Sequence, residues 1–127
     1  MKNIAAVIAL AAVCFAIPAA HAQMAPAKVA NTAKGKALVD SKGMTLYIFD
    51  KDAGGKSNCN GKCAVNWPPL MAAAGAKASG DWTIVTRADG KKQWAYKGMP
   101  LYGWVKDKKA GDVTGDGVGK VWHIAKP

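Results

Sequence analysis

The chain of 127 residues contains no glutamate, one arginine and three cysteines, and all eight of its acidic residues are aspartate. The shortage of arginine argues against a nucleic-acid partner, because the guanidinium fork is the preferred reader of phosphates and base edges. No carboxylate pair and no Ser/His/Asp set has a spacing typical of acid–base or nucleophilic catalysis. The sequence therefore favours a non-enzymatic protein and gives no residue that we would assign as catalytic.

Long hydrophobic runs are absent beyond the first twenty-two residues. Lys2 precedes an apolar segment from Ile4 to Ile17, and Ala20-His21-Ala22 follows it. This order is typical of a secretory signal peptide with an A-x-A cleavage site. The apolar run is shorter than the roughly twenty residues that span a bilayer. We therefore expect residues 1–22 to be a signal peptide, and the mature chain to be exported to the periplasm or secreted, with no transmembrane segment.

The mature chain is interpreted as a flexible lead-in, residues 23–35, followed by a single domain, residues 36–127. The lead-in carries Ala, Pro and Lys without a periodic apolar pattern. The domain contains two cysteines, Cys59 and Cys63. Because an exported protein with an even number of cysteines usually oxidises them, we predict a disulfide between these two.

Positive charge is in excess. Without Lys2, the mature chain carries 17 Lys and Arg against 8 Asp, a net charge of +9. A surface of this kind attracts anionic partners, although lysines scattered through turns are also an ordinary solvated surface. The partner that we expect is an anionic envelope polymer or another envelope protein.

An eleven-residue segment occurs twice. Residues 42–52 read KGMTLYIFDKD and residues 97–107 read KGMPLYGWVKD, with seven identical positions at an offset of fifty-five. The same offset pairs Trp67 with Trp122. A repeat of this kind indicates a fold built from two similar units. We expect the halves, about 36–80 and 81–127, to pack with pseudo-twofold symmetry around one core.

Strand and turn signals dominate both halves. Residues 82–87 and 92–96 flank Asp89-Gly90, a turn pair typical of a β-hairpin, and residues 99–104 continue it as a meander. Residues 44–49 and 121–125 are further predicted strands. A short helical turn is expected at 60–66, ended by Pro68-Pro69. The predicted fold class is all-β, with two hairpin or meander units.

Each copy of the repeated segment contains a Y-x-[FWY]-x-x-D motif, formed by Tyr47, Phe49 and Asp52 and by Tyr102, Trp104 and Asp107. A carboxylate five residues after the tyrosine lies past the strand end, where it can accept hydrogen bonds from loop amides. The tyrosine hydroxyl is expected to find its partner on the other repeat. These residues are interpreted as scaffold.

With these motifs the chain resembles a family of small bacterial secreted proteins and lipoproteins that carry tandem Y-x-[FWY]-x-x-D motifs. The segments CNGKCAVNWPPL at 59–70 and QWAY at 93–96 also resemble that family. The resemblance implies an exported bacterial protein, with no established activity, substrate or cofactor. Because Cys14 lies inside the apolar run, the sequence favours a form without a lipid anchor.

Two functional hypotheses follow, and no cofactor is predicted under the first. The leading one is a Lys/aromatic surface that binds an anionic or polymeric partner, with candidate residues Trp67, Trp82, Trp94, Trp122 and Arg87.

The alternative is a copper site or a thiol-redox centre. Cys59, Cys63 and His123 are soft ligands of the kind that copper prefers. The three-residue spacing of the cysteines differs from the C-x-x-C of thiol oxidoreductases, which favours a structural disulfide.

Overall fold

The computed structural model describes residues 25–127, and the predicted signal peptide lies outside the described residues. Within these residues, seven strands, one α-helix and one 3₁₀ helix follow in chain order: β1 (Lys28–Thr32), β2 (Gly35–Val39), β3 (Tyr47–Phe49), α1 (Lys62–Asn66), β4 (Trp82–Thr86), β5 (Lys92–Tyr96), β6 (Met99–Pro100), the 3₁₀ helix (Val118–Lys120) and β7 (Trp122–Ile124). In the described part of the chain the fold is all-β with one short α-helix, as predicted from the sequence.

The β domain begins earlier than predicted. Residues 28–32, which we predicted to be part of a flexible lead-in, form β1 and pair antiparallel with β2 along its whole length. The turn between them is closed by Thr32, whose hydroxyl donates to the carbonyl of Gly35 at 2.7 Å. None of the β1 residues is fully buried. The strand therefore lacks the alternating apolar face by which strands are recognised in a sequence.

The second half contains the predicted meander, although its third strand, predicted for residues 99–104, is limited to Met99–Pro100. β4 pairs with β5 and β5 with β6, both antiparallel. In the first turn Gly90 has a φ of 87°, and the Asp89 carboxylate accepts the amide of Lys91 at 2.9 Å. Gly98, with a φ of 83°, lies in the turn that leads into β6. The left-handed backbone at both turns explains why glycine stands at these positions.

The two halves meet where the two motif tyrosines pair. The amide of Tyr47 donates to the carbonyl of Tyr102 at 2.7 Å, and the amide of Tyr102 donates back at 3.0 Å. Further bonds are related by the fifty-five-residue offset. Ala125 donates its amide to Leu46 at 2.8 Å, as Leu70 does to Leu101 at 2.9 Å. The halves are therefore two similar units related by a local pseudo-twofold axis.

The connection between β3 and β4 contains the predicted helical turn. The amide of Trp67 caps α1 by donating to the carbonyl of Cys63 at 2.8 Å. Cys59 and Cys63 are joined in a disulfide. The helix and the disulfide together fix the chain immediately before Trp67. No helix within residues 25–127 has the length and apolar character needed to cross a membrane.

Candidate functional site

The centre of the molecule is a stack of four aromatic rings contributed by both repeats. Trp67 and Trp122 lie face to face, with ring centroids 3.7 Å apart and an interplanar angle of 3°. Trp104 stacks on Trp67 at 3.9 Å, and Phe49 stacks on Trp122 at 4.2 Å. The two central indoles are 4% exposed, whereas the end rings are only partly buried. The stack therefore runs between two partly exposed ends.

The motif tyrosines pack edge-on against the stack. Tyr47 meets Trp67 at 5.5 Å and 79°, and Tyr102 meets Trp122 at 5.2 Å and 89°. Edge-to-face contact places the positive ring edge against the negative indole face, an arrangement that aromatic pairs favour. Both tyrosines are completely buried.

The tyrosine hydroxyls bond to the motif carboxylates across the repeats. Tyr47 donates to Asp107 at 2.6 Å, and Tyr102 donates to Asp52 at 2.6 Å. Asp52 also accepts the amide of Asn58, and Asp107 accepts the amide and hydroxyl of Thr114. Bonds of this length between a hydroxyl and a carboxylate belong to the stronger hydrogen bonds in proteins. Each motif therefore completes the other.

Burial raises the pKa values of three ionisable side chains in this core. Desolvation, reinforced by the hydrogen bond to Asp107, raises the pKa of Tyr47 far above its usual value. The pKa of Tyr102 is raised in the same way by desolvation and by Asp52. Desolvation also raises the pKa of Asp52, although its hydrogen bonds and the charge of Arg87 act in the opposite direction. Both phenols are therefore held in the protonated form well into the alkaline range.

Arg87 lies beneath the disulfide loop and is 5% exposed. Its Nη1 donates to Ser57 Oγ at 2.8 Å and to Gln93 Oε1 at 2.7 Å, and its Nη2 donates to the carbonyl of Cys59 at 2.7 Å. Ser57 Oγ in turn lies 2.6 Å from the hydroxyl of Tyr102. The guanidinium is thus linked through Ser57 to the Tyr102–Asp52 pair. Its terminal nitrogens are occupied by protein acceptors, so Arg87 is a buried residue that links the disulfide loop to β5. Our prediction that Arg87 belongs to a binding surface is therefore wrong.

Trp67 and Trp122 likewise do not belong to a binding surface. Both are buried in the ring stack, because the pseudo-twofold axis brings these equivalent indoles into contact. A single sequence gives no measure of which tryptophans are exposed. The platform proposed from the sequence keeps only Trp82 and Trp94 from its original set.

Trp82 and Trp94 lie on one face of the β4–β5 hairpin. In the strand register Trp82 is opposite Tyr96, and Ile84 is opposite Trp94, so all four side chains project from the same face. Each is partly exposed. Lys97 Nζ lies 5.3 Å from the centre of the Tyr96 ring. We call Trp82, Ile84, Trp94 and Tyr96 the aromatic face.

The residues of the copper hypothesis occupy other roles. The sulfurs of Cys59 and Cys63 are bonded to each other. His123 Nε2 lies 2.8 Å from a carboxylate oxygen of Asp50. In the part of the chain that the structure describes, no three His, Cys, Asp or Glu side chains are grouped to hold a metal ion. The structure thus does not assemble a three-ligand site from these residues.

Several residues that complete the hydrogen-bond networks of the tyrosines and of Arg87 were not predicted from the sequence. Ser57 and Gln93 complete the Arg87 network, and Thr114 and Gly115 complete the surroundings of Asp107 and Tyr47. All four lie outside the repeated segments, in the parts where the two halves differ. The repetition that identified the motif could therefore not point to them.

Comparison with known proteins agrees with this architecture. A family model described as a secreted repeat of unknown function matches the chain twice, at residues 28–71 and 83–126. The first match begins where β1 begins, whereas we predicted repeats at about 36–80 and 81–127. No curated protein and no solved structure matches the chain. The chain therefore belongs to this family of secreted repeats.

Proposed function

We propose that this exported protein is a non-enzymatic envelope component that binds an anionic polymer through the aromatic face and the lysines around it. The observation that carries the proposal is the aromatic face itself, which leaves two indoles, a phenol ring and an isoleucine partly open to solvent on one side of a hairpin. On the reverse side of the same hairpin, Val85, Gln93 and Ala95 are buried and Thr83 is exposed. On the aromatic face, Trp82 and Tyr96 pack partly against a buried hydrophobic cluster, which fixes their rings.

The charge around the aromatic face suits an anionic ligand. Between residues 81 and 100 the exposed charged side chains are Lys91, Lys92, Lys97, Asp81 and Asp89. Asp89 is engaged in the turn, where it accepts the amide of Lys91. Flat indole faces suit sugar rings, and ammonium groups suit carboxylate or phosphate substituents. A polymer of acidic sugars combines both chemistries.

Binding of the mature protein to alginate, a polyuronate, tests the proposal, with dextran as the uncharged comparison. We expect saturable binding to alginate by calorimetry that weakens as the salt concentration rises, because surface charges are screened. Lys92→Gln combined with Lys97→Gln should weaken binding by about fivefold or more, since each charge contributes up to about 1 kcal/mol. Trp94→Ala should weaken it as well, because it removes a stacking surface.

The matched control is Lys51→Gln combined with Lys56→Gln, which removes the same charge from exposed positions on the loop that follows β3. Its affinity for alginate should stay close to that of the parent protein. An equal loss in both double variants would show that net charge alone attracts the polymer. Such a result, or equal binding to dextran, would contradict the proposed surface.

The copper or thiol-redox alternative is separated by a different set of variants. Under the proposed function, Cys59→Ala with Cys63→Ala lowers the melting temperature by removing a loop constraint worth about 2 kcal/mol but leaves alginate binding intact. Stoichiometric uptake of Cu(I) by the reduced protein, weakened by His123→Ala, would instead support the alternative.

A further inference from the structure

The ring stack connects the surface to the interior through oxidisable side chains. Trp104 is partly exposed, and it is in stacking contact with the buried Trp67, which is in contact with the buried Trp122. Indole is among the most easily oxidised side chains in proteins, and stacked indoles exchange an electron vacancy readily. Phe49, at the far end of the stack, is much harder to oxidise. An electron vacancy created at Trp104 can therefore spread as far as Trp122.

Each buried indole touches a phenol that already has a proton acceptor. Tyr47 contacts Trp67 and donates to Asp107 at 2.6 Å, and Tyr102 contacts Trp122 and donates to Asp52 at 2.6 Å. A phenol that loses an electron becomes strongly acidic and must release its proton. Because both rings are fully buried, the bound carboxylate takes the place of water as the acceptor.

We propose that the three stacked tryptophans and the two cross-repeat Tyr–Asp pairs form a one-electron relay, which gives the domain a redox activity toward radical oxidants that attack indoles. This activity is independent of polymer binding by the aromatic face. In this relay Trp104 is the residue that the oxidant attacks, and Tyr47 and Tyr102 are the residues on which the radical finally resides.

The transfer balances in electrons, protons and charge. A radical oxidant takes one electron from Trp104 and is reduced, which leaves an indole radical cation. Trp67 then gives one electron to Trp104, so that the radical cation lies on Trp67. A further electron transfer from Trp122 to Trp67 places the radical cation on Trp122. Tyr47 gives one electron to the Trp67 radical cation and its hydroxyl proton to Asp107. The products are neutral indole, neutral phenoxyl radical and neutral carboxylic acid. Tyr102 and Asp52 perform the same step beside Trp122.

The neutrality of these products favours the buried position. Beside Tyr47, the arriving positive charge and the negative carboxylate of Asp107 cancel, so that this transfer adds no ion to the core. Beside Tyr102, the buried Arg87 keeps its charge after Asp52 is neutralised, which favours the Tyr47 branch. The hydrogen bond along which the proton moves exists before oxidation, so no side chain has to reorient. Without an acceptor at bonding distance, the same step would leave a charged phenol in the core.

Pulse radiolysis of the mature protein with azide radicals tests the relay, because these radicals oxidise indoles in preference to phenols. The chain has three tyrosines, and a Tyr96→Phe background leaves only the two buried ones. In this background the indolyl absorption should decay as phenoxyl absorption rises, at a rate independent of protein concentration. The rise should slow in D₂O, since a proton moves with the electron.

Variants locate the path and the proton acceptors. Trp104→Phe should abolish most of the phenoxyl signal, whereas Trp94→Phe, which alters a partly exposed indole outside the stack, should leave it unchanged. Asp52→Asn with Asp107→Asn keeps the side-chain shape but removes the proton acceptors. It should slow the rise by about a hundredfold, the lower end of what a positioned base contributes to a proton transfer.

Several outcomes would overturn the relay. They are the absence of phenoxyl radical in the Tyr96→Phe background, a rate that scales with protein concentration, and an equal yield with and without Trp104. If the double Asn variant does not fold, the isotope comparison in the Tyr96→Phe background decides, and equal rates in H₂O and D₂O would refute the proton step.

Discussion

At the scale of single residues, the two motif carboxylates have a role that motif spacing alone does not show. Asp52 and Asp107 do not serve the tyrosines of their own segments; each accepts from the tyrosine of the other repeat. Each carboxylate also accepts backbone amides of its own loop, which fixes the end of its own strand. Each motif therefore supplies the hydrogen-bond acceptor for the tyrosine of the other motif.

The buried tyrosines should make the protein sensitive to alkali. Their pKa values are raised in the folded state, so the stability that they contribute is complete below pH 10 and is lost as the pH rises toward the folded values. In the window above pH 10 each tyrosine lowers the free energy of unfolding by about 1.4 kcal/mol per pH unit. Tyr47→Phe with Tyr102→Phe should remove this slope. Urea unfolding of both proteins at several alkaline pH values measures it, and parallel slopes would refute the assignment.

Arg87 should be a stability residue rather than a binding residue. Arg87→Lys keeps the charge but replaces two donating nitrogens by one, so some of the acceptors on Ser57, Gln93 and Cys59 lose their partner. Leaving buried acceptors unpaired costs about 1–3 kcal/mol each. We expect a loss of about 2 kcal/mol or more in urea unfolding, with Lys51→Arg near neutral as the surface control. A neutral effect of Arg87→Lys would mean that the guanidinium fork is not needed.

At the scale of elements, the strands with clear alternation or turn chemistry were predictable, and those defined by pairing alone were not. The β4–β5–β6 meander follows from Asp89-Gly90 and the alternating residues around it. β1 has no apolar face and is held by its pairing with β2, so its sequence contains no periodic signal. The site residues were predictable to the same degree. The repeat identifies the motif tyrosines and carboxylates, but the network of Ser57, Gln93 and Arg87 was not predictable, because these residues are brought together only by tertiary contacts.

The glycine-rich segment before β7 has one position where the packing of the core requires glycine. A Cβ added at Gly115 would lie 2.9 Å from Tyr47 Cζ and 3.0 Å from both Trp104 Cδ1 and Trp67 Cη2. Ring atoms of a packed stack cannot move aside, so Gly115→Ala should cost about 1–3 kcal/mol. Gly103→Ala is the control, because its Cβ would meet only the Pro68 carbonyl at 3.8 Å. Equal thermal stability of the two variants would contradict the close packing around Gly115.

At the scale of the whole molecule, the two repeats are not two domains. The reciprocal backbone bonds of Tyr47 and Tyr102, the shared indole pair and the exchanged Tyr–Asp bonds all join one repeat to the other. The hydroxyl of each motif tyrosine has its carboxylate acceptor in the other repeat, and one face of each central indole is covered by the indole of the other repeat. The protein should therefore unfold in one cooperative transition, and the parts that differ between the repeats are free to carry distinct features such as the disulfide and the aromatic face.

The exchange of partners between the repeats is tested most directly by a double-mutant cycle in urea unfolding. We expect a coupling of about 1–3 kcal/mol between Tyr47→Phe and Asp107→Asn, the range typical of a hydrogen bond to a charged group. The same-motif pair, Tyr47→Phe with Asp52→Asn, should show a coupling within about 0.5 kcal/mol of zero. A larger coupling within one motif than across the two repeats would contradict the interlocked core.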